Sequence, residues 1–356
     1  MQQVSFLPEL ERPAMFSVVI PLFDKGPYVG RAVDSVAAQA LLPAEVVVVN
    51  DGSRDDGAAV ARAAAERFPV PLRVIDQPNR GVSAARNAGI SAASQPFVAF
   101  LDADDRWRPE FLARMRDLIA AWPGAVLYGS GFVTIRDGRP ERLYGVRAAD
   151  LLASAPGGPA AGPVDFFRAW RNAIVTNSSS IVVPRIAADA IGGFAGGVTH
   201  GEDHLFWTRL ALAGRVVLTA EPLTEYDVSV PGQAVEYWRQ AYKERFDVLE
   251  FHRFLADELR GRIAGGRREA DQSFVAFARG ELRKAALQRL YWGDFAALAT
   301  LWRELRLDGV GLGWPADWCG WIARHPAAQP PVAGLMAVAR QVRRTLSGSQ
   351  REPPTP

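Results

Sequence analysis

The sequence predicts an α/β fold in which an open sheet is covered by helices on both faces. Three observations predict it. Short runs of consecutive apolar residues recur through the first hundred positions, with four valines in a row at Val46-Val47-Val48-Val49. Such runs suit strands buried on both faces. Segments with helical spacing separate them, which is the layout of a nucleotide-binding α/β domain. Finally, 356 residues with 49% hydrophobic and 22% charged positions leave ample material for a core.

Taken in order, residues 1–14 carry acids and prolines and no apolar run, so they read as a loose leader and not as a signal peptide. Phe16–Leu22 is an apolar run containing Pro21, a buried strand. Residues 28–40 have helical spacing, Glu45–Asn50 is a second buried strand, and 55–68 is an Ala-rich helix. Residues 72–75, 82–93 and 96–101 read as strand, helix and strand. The order then changes. Residues 109–122 form a helix with Pro109 in its first turn, and 125–135 a strand. The uncharged stretch 118–135 is broken by Pro123, Gly124, Gly129 and Gly131, so it reads as helix end, turn and strand and not as a membrane span.

Residues 151–164 have no charge and are rich in Pro and Gly, the composition of a long surface loop. A strand at 179–183, a helix at 202–213 and a last strand at 215–219 follow. From 235 to 307 the pattern is almost all helical, with Trp238, Tyr242, Phe246 and Leu249 at helical spacing as core residues. The expected organisation is a leader 1–14, a catalytic domain 15–230, a helical region 231–344 and a disordered tail 345–356.

Charge divides along the same line. Residues 231–356 hold 19 Lys and Arg against 14 Asp and Glu, whereas 1–230 hold 22 against 25. Two readings stay open for the basic part: a solvated helical surface, or contact with an anionic membrane or a lipid-diphosphate acceptor. The Arg267-Arg268 and Arg343-Arg344 pairs carry the second. The single cysteine, Cys319, excludes an intrachain disulfide and a Cys-based zinc site. The expected location is cytoplasmic, with peripheral contact at the inner face of the membrane, and no nucleic-acid partner is expected.

Four motifs carry chemistry. Val49-Asn50-Asp51-Gly52-Ser53 ends the second strand, where open parallel sheets bind ligands, and Asp51 can accept from a nucleobase N–H. The alternative is a turn that caps the next helix. Arg86, in Ala85-Arg86-Asn87-Ala88-Gly89, offers a fixed donor fork to a base or phosphate, or forms a surface ion pair. Asp102-Ala103-Asp104-Asp105 places three carboxylates directly after an apolar strand. Clustered carboxylates repel unless a cation is bound, and hard oxygen ligands suit Mg²⁺ or Mn²⁺. The alternative is an acidic turn. Glu202-Asp203-His204 opens a helix, where acids also favour the helix dipole; His204 is a weaker candidate metal ligand.

No one of these is specific, but the ordered set resembles the family 2 glycosyltransferases with the GT-A fold. The resemblance runs from Phe16 to about Tyr226, and Ser17-Val18-Val19-Ile20-Pro21-Leu22-Phe23 is similar to the family's opening strand. One departure is Asp24, where the family usually has Asn. The helical region beyond 235 is not covered. The resemblance implies a GT-A nucleotide-sugar-binding, Rossmann-like mixed sheet flanked by helices, with a C-terminal helical extension. It also implies an inverting, metal-dependent transfer from a nucleotide-diphosphate sugar, a UDP-sugar first, to a hydroxyl on a glycan or lipid-linked acceptor in polysaccharide or lipopolysaccharide synthesis.

By the same resemblance, Asp51 and Arg86 hold a uracil-type base with Pro21 and Phe23. Asp102 and Ala103 line the donor, and Asp104 ligates Mn²⁺ or Mg²⁺ with Asp102 and Asp105. Asp203 is the general base, and Glu202 orients it or the acceptor. A rival, a nucleotidyltransferase, needs a Gly-rich basic loop after the first strand. Pro21-Leu22-Phe23-Asp24-Lys25-Gly26 matches that poorly. A second rival, a catalytically degenerate binding protein, is opposed by retention of every acidic motif.

Overall fold

The computed structural model describes residues 16–152, 160–198, 201–230, 250–265, 272–292, 294–308, 310–312, 316–329, 332–333 and 336. Two compact units divide the chain, Met1–Lys243 and Glu244–Pro356. The expected leader and tail, the whole series Trp238, Tyr242, Phe246 and Leu249, and both Arg-Arg pairs lie outside the described residues, as does the stretch from the expected boundary at 231 to 249.

In the first unit β1 (Phe16–Leu22), α1 (Gly26–Ala37), β2 (Glu45–Asn50), α2 (Gly57–Ala65), β3 (Leu72–Asp76), α3 (Val82–Ala92) and β4 (Phe97–Phe100) follow the sequence expectation closely. These strands pair in parallel in the order β3-β2-β1-β4. Side chains of β1 alternate between faces. Phe16, Val18, Ile20 and Leu22 join a large cluster with Val29, Val33, Phe111, Leu112 and Met115. Val19 points to the other face, where α3 lies so close that a Cβ on Gly89 would sit 2.2 Å from its Cγ1. Both faces being apolar and covered is why the runs are continuous and not alternating.

Beyond β4 the sheet becomes mixed. It takes in β5 (Arg106–Trp107), β6 (Leu127–Arg136), β7 (Arg139–Tyr144), β8 (Ala161–Val164), β9 (Ile181–Pro184) and β10 (Val216–Asp227), which makes ten strands among the described residues. β9 runs antiparallel to both β4 and β6, while β10 runs parallel to β6. Helices α4 (Phe111–Ala121), α5 (Phe166–Asn172), α6 (Arg185–Ala190) and α7 (Glu202–Ala213) complete the unit.

Four differences from the sequence expectation have physical reasons. The last strand extends to Asp227 because register shifts around Pro222 let β10 bend and continue pairing with β6. The expected loop at 151–164 contains β8, since Ala161, Gly162 and Pro163 pair with Thr219, Leu218 and Val217 respectively, although their composition is that of a loop. β7 reads Arg-Pro-Glu-Arg-Leu-Tyr and is almost wholly exposed, so it carries no apolar signal. β5 has two residues and no period at all.

The second unit contains α8 (Glu250–Ala264), α9 (Gln272–Trp292), α10 (Phe295–Glu304) and α11 (Ala316–Arg324). Phe251, Leu255, Leu259, Phe277, Leu301 and Ile322 are buried within it. Among the described residues no helix is long and apolar enough to cross a membrane. Leu118 lies in α4 and residues 127–135 in β6, so the uncharged stretch is a helix end, a turn and a strand.

Candidate functional site

The acidic motifs meet beyond the carboxyl ends of β1, β2 and β4, where parallel sheets place their ligand sites. Backbone pairing carries each strand into its loop: the Asp51 N–H donates to Leu22 O at 2.8 Å, and the Leu101 N–H to Val19 O at 3.0 Å.

After β1, Phe23 is 39% exposed, and the Arg54 guanidinium lies over its ring at 5.5 Å. Pro21 is buried in register with Val49. Asp24 takes the left-handed backbone (φ 49°) and accepts from the Arg54 N–H at 2.7 Å. Asp and Asn both tolerate that conformation, so the departure from the family residue keeps the turn.

Asp51 is 2% exposed. Its Oδ1 accepts from Gln77 Nε2 at 2.6 Å and the Arg80 N–H at 3.0 Å, and its Oδ2 from the Gly81 N–H at 2.8 Å. Asp51 therefore anchors the loop that starts α3, not the helix that follows β2. A carboxylate offers about four acceptor positions, so one remains for a ligand.

The three carboxylates after β4 fan apart. Asp102 Oδ1 pairs with Arg86 at 2.8 Å, and Asp104 Oδ2 with Lys25 Nζ at 2.8 Å. Asp105 turns inward, 1% exposed, and accepts from the Ser179 hydroxyl at 2.5 Å. Burial, then the charges of Asp104 and Asp102, push its carboxyl well above the usual range. The repulsion expected of this cluster is thus relieved by two protein cations and by the burial of Asp105, which disfavours its charged form. Asp105 was expected among the metal ligands; in this conformation it is an interior acid bonded to Ser179. Ser179 works in both directions, since its Oγ also accepts from the Asp102 N–H at 3.0 Å, and its carbonyl accepts from Trp107 Nε1 at 2.6 Å.

Arg86 is 3% exposed and spans two motifs separated by about a hundred residues. It bonds Asp102 on one side and Glu202 Oε1 at 3.1 Å on the other, with the Phe194 ring 5.1 Å away. The two carboxylates hold its pKa above the usual guanidinium value despite burial. It braces the acidic motifs together and was expected instead at the nucleobase. Asn87 beside it closes the Phe194 backbone, donating to Phe194 O and accepting from its N–H, both at 2.8 Å.

Glu202 and Asp203 begin α7 directly after Gly201, whose φ of 76° makes the chain turn into the helix. Burial, reinforced by the Asp203 charge, pushes the Glu202 carboxyl up to about 7, with Arg86 pulling it back. His204 packs edge-on against Trp170, ring centroids 4.9 Å apart. Tyr226, on the part of β10 beyond the expected strand, has its phenol raised well above 10 by burial and then by Asp105, Asp104, Asp102 and Asp203. Those four aspartates therefore lie within electrostatic reach of it. Ser179, Lys25, Phe194 and Tyr226 were not singled out from the sequence; only Lys25, three residues past the first strand, stood next to a recognised motif.

No group of three or more ligating side chains is ready to hold a metal among the described residues. The donor set nevertheless fits one. Mg²⁺ commonly takes one or two protein carboxylates and completes its shell with water and substrate phosphate. Asp104, paired with a lysine ammonium that a divalent ion can replace, and Asp102 beside it are hard oxygen donors of that kind.

Residues 17–172 match the family described as glycosyl transferase family 2. An uncharacterized glycosyltransferase of Nostoc sp. is 42% identical over 99 residues, 28% of this chain and 31% of that protein. The succinoglycan biosynthesis protein ExoO of Rhizobium meliloti is 34% identical over 137 residues, 38% of this chain and 39% of that protein. The matched stretch thus spans well under half of these relatives. Among solved structures, S. aureus TarS 1–349 in complex with UDP-GlcNAc superposes with a TM-score of 0.64 at 19% identity, covering 93% of this chain and 92% of that one. The mannosyltransferase PcManGT of Pyrobaculum calidifontis, in complex with GDP-Man and Mn²⁺, gives 0.51 at 18% identity, covering 96% and 90%. At these identities the likeness is one of fold, and that fold is the GT-A type.

Proposed function

Residues 17–172 belong to glycosyl transferase family 2, and from that premise we propose that the protein transfers a sugar, with inversion, from a nucleotide diphosphate to an acceptor hydroxyl. The observation that carries the reading is the pairing of two acidic motifs through one buried arginine: Asp102 after β4 and Glu202 at the start of α7 share Arg86. Each motif alone is explicable as a turn or a helix start. A buried guanidinium holding both at one place serves a reaction that needs negative charge on two sides of a substrate.

The donor end lies with Asp102 and Asp104. Phe23 offers an exposed ring for a base to stack on, with Pro21 behind it, and Asp51 keeps one acceptor position for a base N–H. A UDP-sugar is the first donor to test, because one structural neighbour, S. aureus TarS 1–349, is in complex with UDP-GlcNAc. Mn²⁺ or Mg²⁺, held by Asp104 with Asp102, would offset the charge that accumulates on the departing diphosphate. At the acceptor end Asp203 takes the hydroxyl proton as the oxygen attacks the anomeric carbon. The bond to the diphosphate oxygen breaks with its electron pair going to the nucleotide, and a single displacement inverts the centre. Glu202, held by Arg86, orients Asp203. The acceptor is a glycan or lipid-linked hydroxyl.

The decisive experiment is Asp203→Asn, which keeps size and most hydrogen bonding and removes only basicity. Sugar transfer should fall by about 10²–10⁴, the usual worth of a positioned base, while UDP affinity with Mn²⁺ stays that of the parent. Parental transfer by this variant would give the role to Glu202, and loss of UDP binding would move Asp203 into the donor site.

A further inference from the structure

The C-terminal unit holds a cleft of about 480 Å³ lined by none of the residues assigned to the transfer. Arg260, Arg303, Arg306 and Arg324 line it, together with Trp302 and Asp308. Two of the arginines have structural duties. Arg260 pairs with Asp257 and donates to Leu305 O and Arg306 O at the carboxyl end of α10, a favourable place for a cation. Arg324 pairs with Asp308, which also accepts from Trp302 Nε1 at 3.1 Å.

Arg303 stands in the last turn of α10, where a cation also suits the helix dipole. Arg303 and Arg306 are exposed and make no ion pair among the described residues. Four guanidiniums thus face two carboxylates, and the surplus charge repels itself.

The backbone adds a separate argument. Arg306 sits at φ 48°, just past the end of α10, where the Leu307 N–H returns to Trp302 O at 3.1 Å. Glycine is the usual residue at such a helix end, and a Cβ there is unfavourable. An arginine kept in a conformation that suits glycine, with its guanidinium on a cationic cleft, points to use of that side chain.

We propose that this cleft binds a phosphate-bearing anion, a phosphomonoester or diphosphate group, with Arg303 and Arg306 as its principal donors. The guanidinium fork matches phosphate oxygens two at a time. The cleft volume falls in the range of small-ligand sites, and the Trp302 ring walls one side. The anion is either a soluble phosphorylated compound or the headgroup of a lipid, and the same arginines read both.

Two measurements on the full chain, both in EDTA to suppress metal-bridged binding at the acidic site, test this. In the first, inorganic pyrophosphate is titrated calorimetrically into the wild type and into Arg303→Ala/Arg306→Gly. The double variant should bind at least about tenfold more weakly, as expected for two lost charge-assisted contacts. Its melting temperature should hold or rise, because glycine relieves the backbone at 306. In the second, both proteins are sedimented with phosphatidylcholine vesicles with and without phosphatidic acid. Recruitment by phosphatidic acid that the variant loses identifies a lipid headgroup. Pyrophosphate binding that the variant loses, without recruitment, identifies a soluble ligand. A wild type that binds neither probe, or a double variant that binds as tightly as the wild type, overturns the proposal.

Discussion

Glu202→Gln isolates the electrostatics of the acidic site from its chemistry. In the folded protein the Glu202 carboxyl ionises near 7, against 4.5 for an ordinary glutamate, first because it is buried and second because Asp203 is beside it. A folded pKa above the unfolded one contributes stability that is complete below 4.5 and is lost as pH rises through about 7. The difference is worth up to about 3 kcal/mol. Glutamine keeps the oxygen that accepts from Arg86 and never ionises, so the variant escapes the loss. At pH 5 the two proteins should melt within a degree or two of each other. At pH 8 the variant should be the more stable, by as much as roughly 6–10 °C for a unit of this size. Differential scanning calorimetry across pH 5–8, in EDTA, gives the comparison. An offset between variant and parent that does not change with pH, or a parent that gains on the variant as pH rises, refutes the argument that burial of the charged form dominates at this position.

Three further expectations concern neighbouring residues. Asp104→Ala should abolish transfer, and EDTA should do the same to the parent in a way that added Mn²⁺ or Mg²⁺ reverses; full activity in chelator removes the metal from the reading. Asp51→Ala should weaken UDP binding by about 1–3 kcal/mol and also lower the melting temperature, because three donors of the 77–81 loop lose their acceptor; a variant that loses affinity without stability would show that the loop is held by other means. Gly89→Ala should cost roughly 1–3 kcal/mol by overpacking, since the new methyl group meets Val19 at 2.2 Å; unchanged denaturant midpoints would mean that α3 shifts freely on the sheet.

The sequence by itself determined the parallel half of the sheet. β1, β2 and β4 are buried on both faces, so apart from Ser17 and the ends of β2 their side chains are apolar, and the run of valines is visible without knowing its neighbours. It also supplied every acid of the site, because each motif sits where a strand ends or a helix begins, and such junctions leave a local mark. α7 shows this most plainly: it begins at Glu202 and ends at Ala213 as its spacing requires. The antiparallel half was less legible. β7 is polar because it is exposed, β5 is too short to have a period, and β8 is a strand only because β10 lies beside it.

What only the tertiary structure decided is the pairing of charges. Asp102, Asp104 and Asp105 are adjacent in the chain and chemically alike, yet one meets an arginine, one a lysine and one a serine in the interior. Which of them stays charged depends on the low-dielectric surroundings and on partners brought from residues 25, 86 and 179. The partners of Arg86 and Asp51 were decided in the same way, by what the fold places within hydrogen-bond reach. Electrostatic energy depends on distance through space and on burial, and neither is written in the local order of residues.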